Sequence, residues 1–172
     1  MRATEHGCQP HPSRSPHVSI TDLFVLAGAT TTPNAGPGVL WPALLERAYA
    51  QQREGSYQRL ESGHPTLALE ALTGLPATTL HVDANNDDVW RALRAGVSER
   101  RPMVAGTRAD DVDDGLAPQH AYAVLDACEQ DGQRMVTLYN PWGTDDGASR
   151  PEQQISLEEF VANFGAIHIG GA

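Results

Sequence analysis

Apolar residues at helical spacing mark four short segments of the chain. The clearest is 40–53, where Trp41, Leu44 and Ala48 fall on one face of a helix. Pro42 occupies its first turn, where a missing backbone N–H costs nothing. The four segments that we predict to be helices are 40–53, 64–74, 85–96 and 157–164.

Two kinds of end signal support these helices. Gly74 and Gly96 follow apolar periodic stretches and predict that the second and third helices close there. Ser156 and Glu159 have the spacing of a capping box, so the last helix should begin after Ser156.

Segments rich in β-branched and apolar residues alternate with the helices and indicate strands. They are 17–28, 78–84, 102–107, two arms of a hairpin within 118–143, and 166–169. Loops are predicted at 29–38, 108–118 and 143–154, where glycine, proline and acidic residues concentrate. Residues 1–17 contain three prolines and no periodicity, so we expect an irregular segment. The order of elements predicts an α+β fold: a few helices, then an antiparallel sheet.

Composition narrows the range of partners. The chain has 172 residues and a net charge of −10, and its twelve cationic residues are scattered arginines, so a nucleic-acid partner is not expected. The longest apolar stretch, around 23–29, is too short to cross a bilayer. Two cysteines, Cys8 and Cys128, do not make a disulfide framework and suit a reducing compartment. We therefore expect a cytoplasmic protein with no membrane contact.

The hairpin "PQHAYAVLDACEQDGQRMVTLYNPWG" places a histidine and an amide at its open end. With a two-residue turn at 131–132, His120 and Asn140 would lie on opposite faces of the sheet. With a three-residue loop at 130–132, they become diagonal neighbours on one face. We predict this second register, because it would permit function and Gly132 suits the left-handed position of such a loop. Asn140 could then accept the Nδ1–H of His120 and leave Nε2 to take a proton from a thiol or hydroxyl. Trp142 could shield that hydrogen bond from water.

Several segments together resemble the calpain-type, papain-like cysteine peptidase domain. They are "LWPALLERAYAQ", "GSYQRL", "ALEALTG", "HAYAVLDA" and "LYNPWG", in the family's order. The resemblance runs from Val18 to Ile169 and implies a partial catalytic domain over 18–172, mainly the second lobe of the fold. It implies that His120 and Asn140 are catalytic and that Trp142 packs beside the site. Peptide-bond hydrolysis of a protein or peptide substrate is the activity that it implies.

The nucleophile of that family is not found in this sequence. The family's cysteine lies in a Gln…Gly-Asp-Cys-Trp segment of the amino-terminal lobe, which has no counterpart here. Cys128 is eight residues from His120 along a strand, or about 26 Å. Cys8 lies among prolines that forbid an activating helix, and Ser56 lacks a nucleophile-elbow pattern. We therefore expect no cleavage by this chain alone.

Three functional hypotheses follow from a histidine and an asparagine without a thiol. The chain is a truncated or mis-started peptidase, half of a split enzyme completed by a partner segment that supplies the nucleophile lobe, or a non-catalytic binding or regulatory module. The reading frame upstream of Met1 distinguishes them, because the missing motif would be found in frame, in an adjacent gene, or not at all.

Metal sites have little support in the sequence. Calcium is possible by family resemblance, but Val39 and Thr144 occupy positions where the family often has acidic residues. The acidic stretches 83–89 and 110–115 lack a closing glutamate and are predicted to be a helix cap and a solvated loop. No zinc motif is present, and no cofactor is predicted. The remaining histidines are predicted to be surface or packing residues: His6, His11, His17, His64, His81 and His168.

Overall fold

A computed structural model describes residues 48–51, 64–83, 85–109, 112–113, 115–141 and 151–171 of the chain. The strand predicted at 17–28, the loop at 29–38 and the irregular segment 1–17 lie outside these residues. So does most of the helix predicted at 40–53, of which residues 48–51 are described and are helical. Among the described residues, no helix has the length and hydrophobicity to span a membrane.

From residue 64 onwards, three helices and six strands follow one another in the described chain. The helices are α1 (Pro65–Thr73), α2 (Asn86–Ser98) and α3 (Leu157–Asn163). The strands are β1 (Thr78–His81), β2 (Met103–Thr107), β3 (Ala121–Gln130), β4 (Gln133–Tyr139), β5 (Glu152–Ser156) and β6 (Phe164–Ile169). The six strands form a single sheet in the order β1-β6-β2-β3-β4-β5, and every neighbouring pair is antiparallel. The predicted α+β class is confirmed.

The helix ends follow local chemistry. The side chain of Asn85 accepts a hydrogen bond from the backbone N–H of Asp87 at the start of α2. Ser156 and Glu159 form the predicted capping box at α3, with each side chain accepting from the other residue's backbone N–H. Gly74 has a φ of 70° and closes α1 as predicted, because its backbone N–H reaches the carbonyl of Glu70.

The predicted end of α2 at Gly96 is wrong, because this helix continues to Ser98. Gly96 is buried within the helix, and a Cβ there would lie 2.3 Å from the sulfur of Met103. This glycine therefore permits a close approach of helix and sheet and does not terminate the helix.

The core lies between one face of the sheet and the helices α2 and α3. Inward-facing residues of β2, β3, β4 and β6 meet Val89, Trp90 and Leu93 of α2 and Leu157 and Phe160 of α3. Strand β5 begins within the predicted loop 143–154, so this part of the loop prediction is wrong. Its sequence "EQQIS" offers one large apolar side chain, and pairing with β4 makes it a strand. Tertiary pairing overrides weak β-propensity here.

Candidate active site

The register of the β3–β4 hairpin brings His120 and Asn140 onto one face, by a different route from the predicted one. Gln130 pairs with Gln133, so the connection is the two-residue turn Asp131–Gly132, and the predicted three-residue loop is wrong. Both turn residues have positive φ, 50° and 78°, as a type I′ turn requires.

A β-bulge restores the alignment that this turn would otherwise prevent. Asp126 pairs with Thr137, but the next pair is Val124 with Leu138, so Leu125 is an extra residue in β3. Because side chains alternate between faces, one extra residue reverses the face of every residue beyond it. The register continues to Ala123 opposite Tyr139, and one further step sets Tyr122 opposite Asn140. His120 then shares their face.

The two side chains meet through the outer ring nitrogen of the histidine. Nε2 of His120 lies 3.0 Å from Oδ1 of Asn140. The predicted contact through Nδ1 is therefore wrong: diagonal neighbours on adjacent strands are about 7–8 Å apart, and the nitrogen farther from the backbone spans that gap. Since an amide oxygen only accepts, Nε2–H is the donor, and Nδ1 carries the lone pair of the neutral ring.

The surroundings of His120 favour its neutral form. The side chain is half-buried, and desolvation lowers its pKa below the usual 6.5, while the hydrogen bond to Asn140 acts in the opposite direction and raises it. Desolvation is the larger effect. At neutral pH the ring is therefore a proton acceptor, which is the state that a general base needs.

Asn140 is held from its backbone as well as its side chain. Its side chain is completely buried, and its backbone N–H donates to the carbonyl of Pro151 at 2.6 Å. This bond ties the end of β4 to the residue that precedes β5. The next residue, Pro141, is buried too. The acceptor for the imidazole is thus carried by a restrained backbone.

A row of four aromatic rings connects the histidine to α3. The ring of His120 meets that of Tyr122 edge to face at 5.0 Å, and Tyr122 meets Phe164 in the same way at 5.7 Å. Phe164 stacks on Phe160 at 4.5 Å. The last three of these side chains have no exposed surface. The imidazole therefore rests on a close-packed support rather than on solvent.

Other candidates from the sequence are not brought to this site. Cys128 is buried on the sheet face opposite the core, and it is disulfide-bonded, so it offers no thiol to His120. Trp142, Cys8 and Ser56 lie outside the described residues, as do Val39 and Thr144. Within the described ranges, no group of three or more histidine, cysteine, aspartate or glutamate residues is arranged to hold a metal ion.

Two residues that the sequence did not single out hold the loop that leads to His120. Thr107, the last residue of β2, hydrogen-bonds to the backbone of His120, and Asn163, the last residue of α3, binds the loop between β2 and β3. Threonine at a strand end and asparagine at a helix end are common, so neither position carried a distinguishing signal. Only the folded loop shows what they contact.

Comparison with known proteins assigns the chain to a family. The family model described as "Calpain family cysteine protease" matches residues 17–165. The chain belongs to the calpain family of cysteine proteases. The family resemblance seen in its sequence segments is thereby confirmed.

Individual calpains from animals, plants and fungi match most of this chain. It is 29% identical to rat Calpain-13 over 128 residues, which are 69% of this chain and 19% of that protein. It is 32% identical to the calpain-like protease palB/RIM13 of Aspergillus oryzae over 131 residues, 72% of this chain and 15% of that protein. The Arabidopsis thaliana calpain-type cysteine protease DEK1 is 34% identical over 117 residues, 62% of this chain and 5% of that protein. The chain thus spans a fifth or less of the length of these calpain relatives.

Two substitutions of Asn140 will shift the titration of His120 in opposite directions. Asn140→Ala removes the hydrogen bond that raises the histidine's pKa and leaves the desolvation, so the pKa falls below that of the wild type. Asn140→Asp sets a carboxylate beside Nε2, which stabilises the imidazolium and raises the pKa. NMR titration of the His120 ring measures both. The resonances of exposed His81 are the internal reference, and equal His120 titration curves in the two variants would contradict the contact.

Proposed function

We propose that this chain carries the histidine–asparagine half of a calpain-type peptidase centre. In this proposal His120 is the general base and then the general acid, and Asn140 orients its ring. The observation that carries the proposal is the 3.0 Å contact between Nε2 of His120 and the buried amide of Asn140 in a chain of the calpain family. A protein or peptide is the proposed substrate.

The proposed chemistry uses the second ring nitrogen. Nδ1 of His120 accepts the proton of a cysteine thiol, and the thiolate attacks the carbonyl carbon of the scissile peptide bond. The imidazolium then gives that proton to the leaving amine, and an acyl-enzyme remains until water hydrolyses it. Throughout, the Nε2–H to Asn140 hydrogen bond prevents the ring from turning. The geometry of one strand pair thus supports both proton transfers.

The thiol in this proposal comes from outside these 172 residues, either from a preceding segment or from a partner chain. Support comes from Cys128, which is disulfide-bonded and lies about 26 Å along the strand from His120. Cys8 is set among prolines that do not start a helix. The isolated chain is therefore proposed to be inactive. A cytoplasmic location belongs to the same proposal.

Reconstitution of the site tests this function. The purified chain is incubated with fluorescently labelled casein, alone and together with a separately expressed calpain lobe that carries the Gln…Gly-Asp-Cys-Trp motif, with calcium and with a chelator. We expect hydrolysis only in the mixture. His120→Ala should lower that rate by about 10²- to 10⁴-fold, as expected for the loss of a general base. The matched control, His81→Ala, changes an exposed histidine and should leave the rate unchanged.

Two results would point elsewhere. Hydrolysis by the chain alone, sensitive both to a thiol alkylator and to His120→Ala, would show that the nucleophile is within this sequence. Stable binding of the added lobe without any hydrolysis would favour the non-catalytic binding or regulatory module.

A further inference from the structure

The loop between β2 and β3 leads directly into the candidate catalytic histidine and is folded tightly. Its first residue, Arg108, donates its backbone N–H to the carbonyl of Asn163 at 2.9 Å. Near its end, Gln119 donates to the carbonyl of Arg108 at 3.0 Å. Gln119 has a φ of 49°, an unfavourable backbone conformation for a residue with a side chain. Such a conformation persists only where neighbouring contacts enforce it.

Several of these contacts converge on Thr107. Its Oγ1 lies 2.7 Å from the carbonyl oxygen of Ala117 and 2.8 Å from the backbone nitrogen of His120. The hydroxyl accepts from the N–H of His120 and has one proton to donate, for which the carbonyl of Ala117 is the nearer acceptor and that of His120, at 3.0 Å, the second. The backbone N–H of Thr107 also donates to the carbonyl of His120 at 2.8 Å. One residue thus bonds both backbone polar groups of the histidine.

A second hydroxyl holds the other side of the same peptide segment. The backbone N–H of Ala117 donates to the phenolic oxygen of Tyr122 at 2.8 Å. The carbonyl of Ala117 is therefore hydrogen-bonded to Thr107, and its N–H is hydrogen-bonded to Tyr122. The short segment between Ala117 and His120, which contains the strained Gln119, is fastened at both ends.

We propose that Thr107 is a positioning residue for His120. Its hydroxyl, with that of Tyr122, holds the loop so that the imidazole points Nε2 at Asn140. Valine has nearly the same shape as threonine but neither donates nor accepts, whereas serine retains the hydroxyl. Importance for catalysis rests on the proposed function above, while the orientation of His120 does not.

NMR spectroscopy of the ring nitrogens of His120 tests the orientation without requiring activity. In the wild type the Nε2–H tautomer dominates, and the two ¹⁵N shifts are far apart. In Thr107→Val we expect the two shifts to move towards each other and the titration of His120 to move towards that of an exposed histidine. In Thr107→Ser both should remain as in the wild type. Unchanged His168 resonances confirm that the rest of the sheet is intact.

The outcomes divide clearly. Wild-type ¹⁵N shifts in Thr107→Val, or the same change in Thr107→Ser as in Thr107→Val, would overturn the proposal. If Thr107→Val does not fold, Tyr122→Phe decides: it releases the other end of the segment, and loss of the tautomer preference supports the proposal while its retention overturns it.

The reconstituted enzyme separates this inference from the proposed function. There, Thr107→Val should lower kcat by about 10- to 100-fold with little change in KM, because misplacement of a reacting group reduces the rate and not the binding. Thr107→Ser should restore kcat. A changed His120 tautomer in a mixture that never hydrolyses casein would leave the positioning role standing and remove the proposed function. Hydrolysis that is unaffected by Thr107→Val would leave the proposed function standing and remove the positioning role of Thr107.

Discussion

Replacing Phe160 with alanine will lower the free energy of unfolding by about 3–5 kcal/mol, the usual cost of emptying a buried phenylalanine site. Phe160 has no exposed surface and lies where α3 meets the sheet. It stacks on Phe164, whose ring meets Tyr122. The lost ring leaves a cavity that these neighbours cannot fill without leaving their rotamers. Urea denaturation followed by circular dichroism measures the change.

Phe160→Leu is the matched control for the aromatic row. It keeps most of the apolar volume and should cost about 1 kcal/mol, since swaps of similar size are tolerated best. A loss of equal size in the two variants would mean that the stacking on Phe164, rather than the filled volume, holds this part of the core. A loss below about 1 kcal/mol in Phe160→Ala would contradict the packing described for α3.

Acid will destabilise the protein through His168, on the sheet face opposite the core. This ring is 6% exposed, and burial, followed by the nearby His64 and His81, lowers its pKa from 6.5 to about 4. Its Nδ1 lies 3.0 Å from the hydroxyl of Thr79. Because the folded-state pKa is lowered, the unfolded chain binds the proton first as the pH falls. The neutral His168 ring makes its full contribution to the free energy of unfolding above pH 6.5. That contribution is lost between pH 6.5 and about 4, to a total of about 3 kcal/mol.

Urea denaturation at pH 7 and at pH 4.5 measures this loss. In His168→Gln the part of the pH dependence that is due to His168 disappears, so the variant and the wild type differ less at pH 4.5 than at pH 7. In His81→Gln one of the two neighbouring rings is gone, and the acid loss should be smaller than in the wild type. Identical pH dependence in the wild type and in His168→Gln would show that other groups cause the acid sensitivity.

The helices from residue 64 onwards and most of the described strands could be predicted because their signals are local. The capping residues Ser156 and Glu159 and the apolar face of α2 depend on neighbours within one or two turns. Patterns of this kind can be recognised in the sequence because they involve only residues that are close along the chain. Strand β5 carried no such pattern, since its partner β4 supplies the reason for its conformation.

The contact of His120 with Asn140 was also foreseen, but its cause was not. The sequence allows either a two-residue turn or a three-residue loop, and the function that it would permit favours the second. The chain uses the first and corrects the register at Leu125, where nothing in "AVLDA" marks a bulge. Bulges depend on the fit of two strands and their neighbours, so their positions are a property of the sheet.

Which ring nitrogen of His120 contacts Asn140 could not be predicted from the sequence for a similar reason. Either nitrogen of His120 satisfies a rule that asks only for a hydrogen bond to an amide. The strand spacing and the direction of the side chain decide in favour of Nε2. The position of Thr107 beneath the loop is likewise a long-range consequence, since ten residues separate it from Ala117.

The sheet order has a consequence for biosynthesis. Strand β6 is the last of the six to leave the ribosome, yet it lies between β1 and β2 and pairs with both. During translation these two earlier strands have no partner on that side, and β1 has none at all among the described strands. The nascent β3–β4 hairpin can close early, but the layer that supports it is completed only when Phe164–Ile169 arrives. Until then the growing polypeptide exposes unpaired strand edges, which is when a chaperone would be most useful to it.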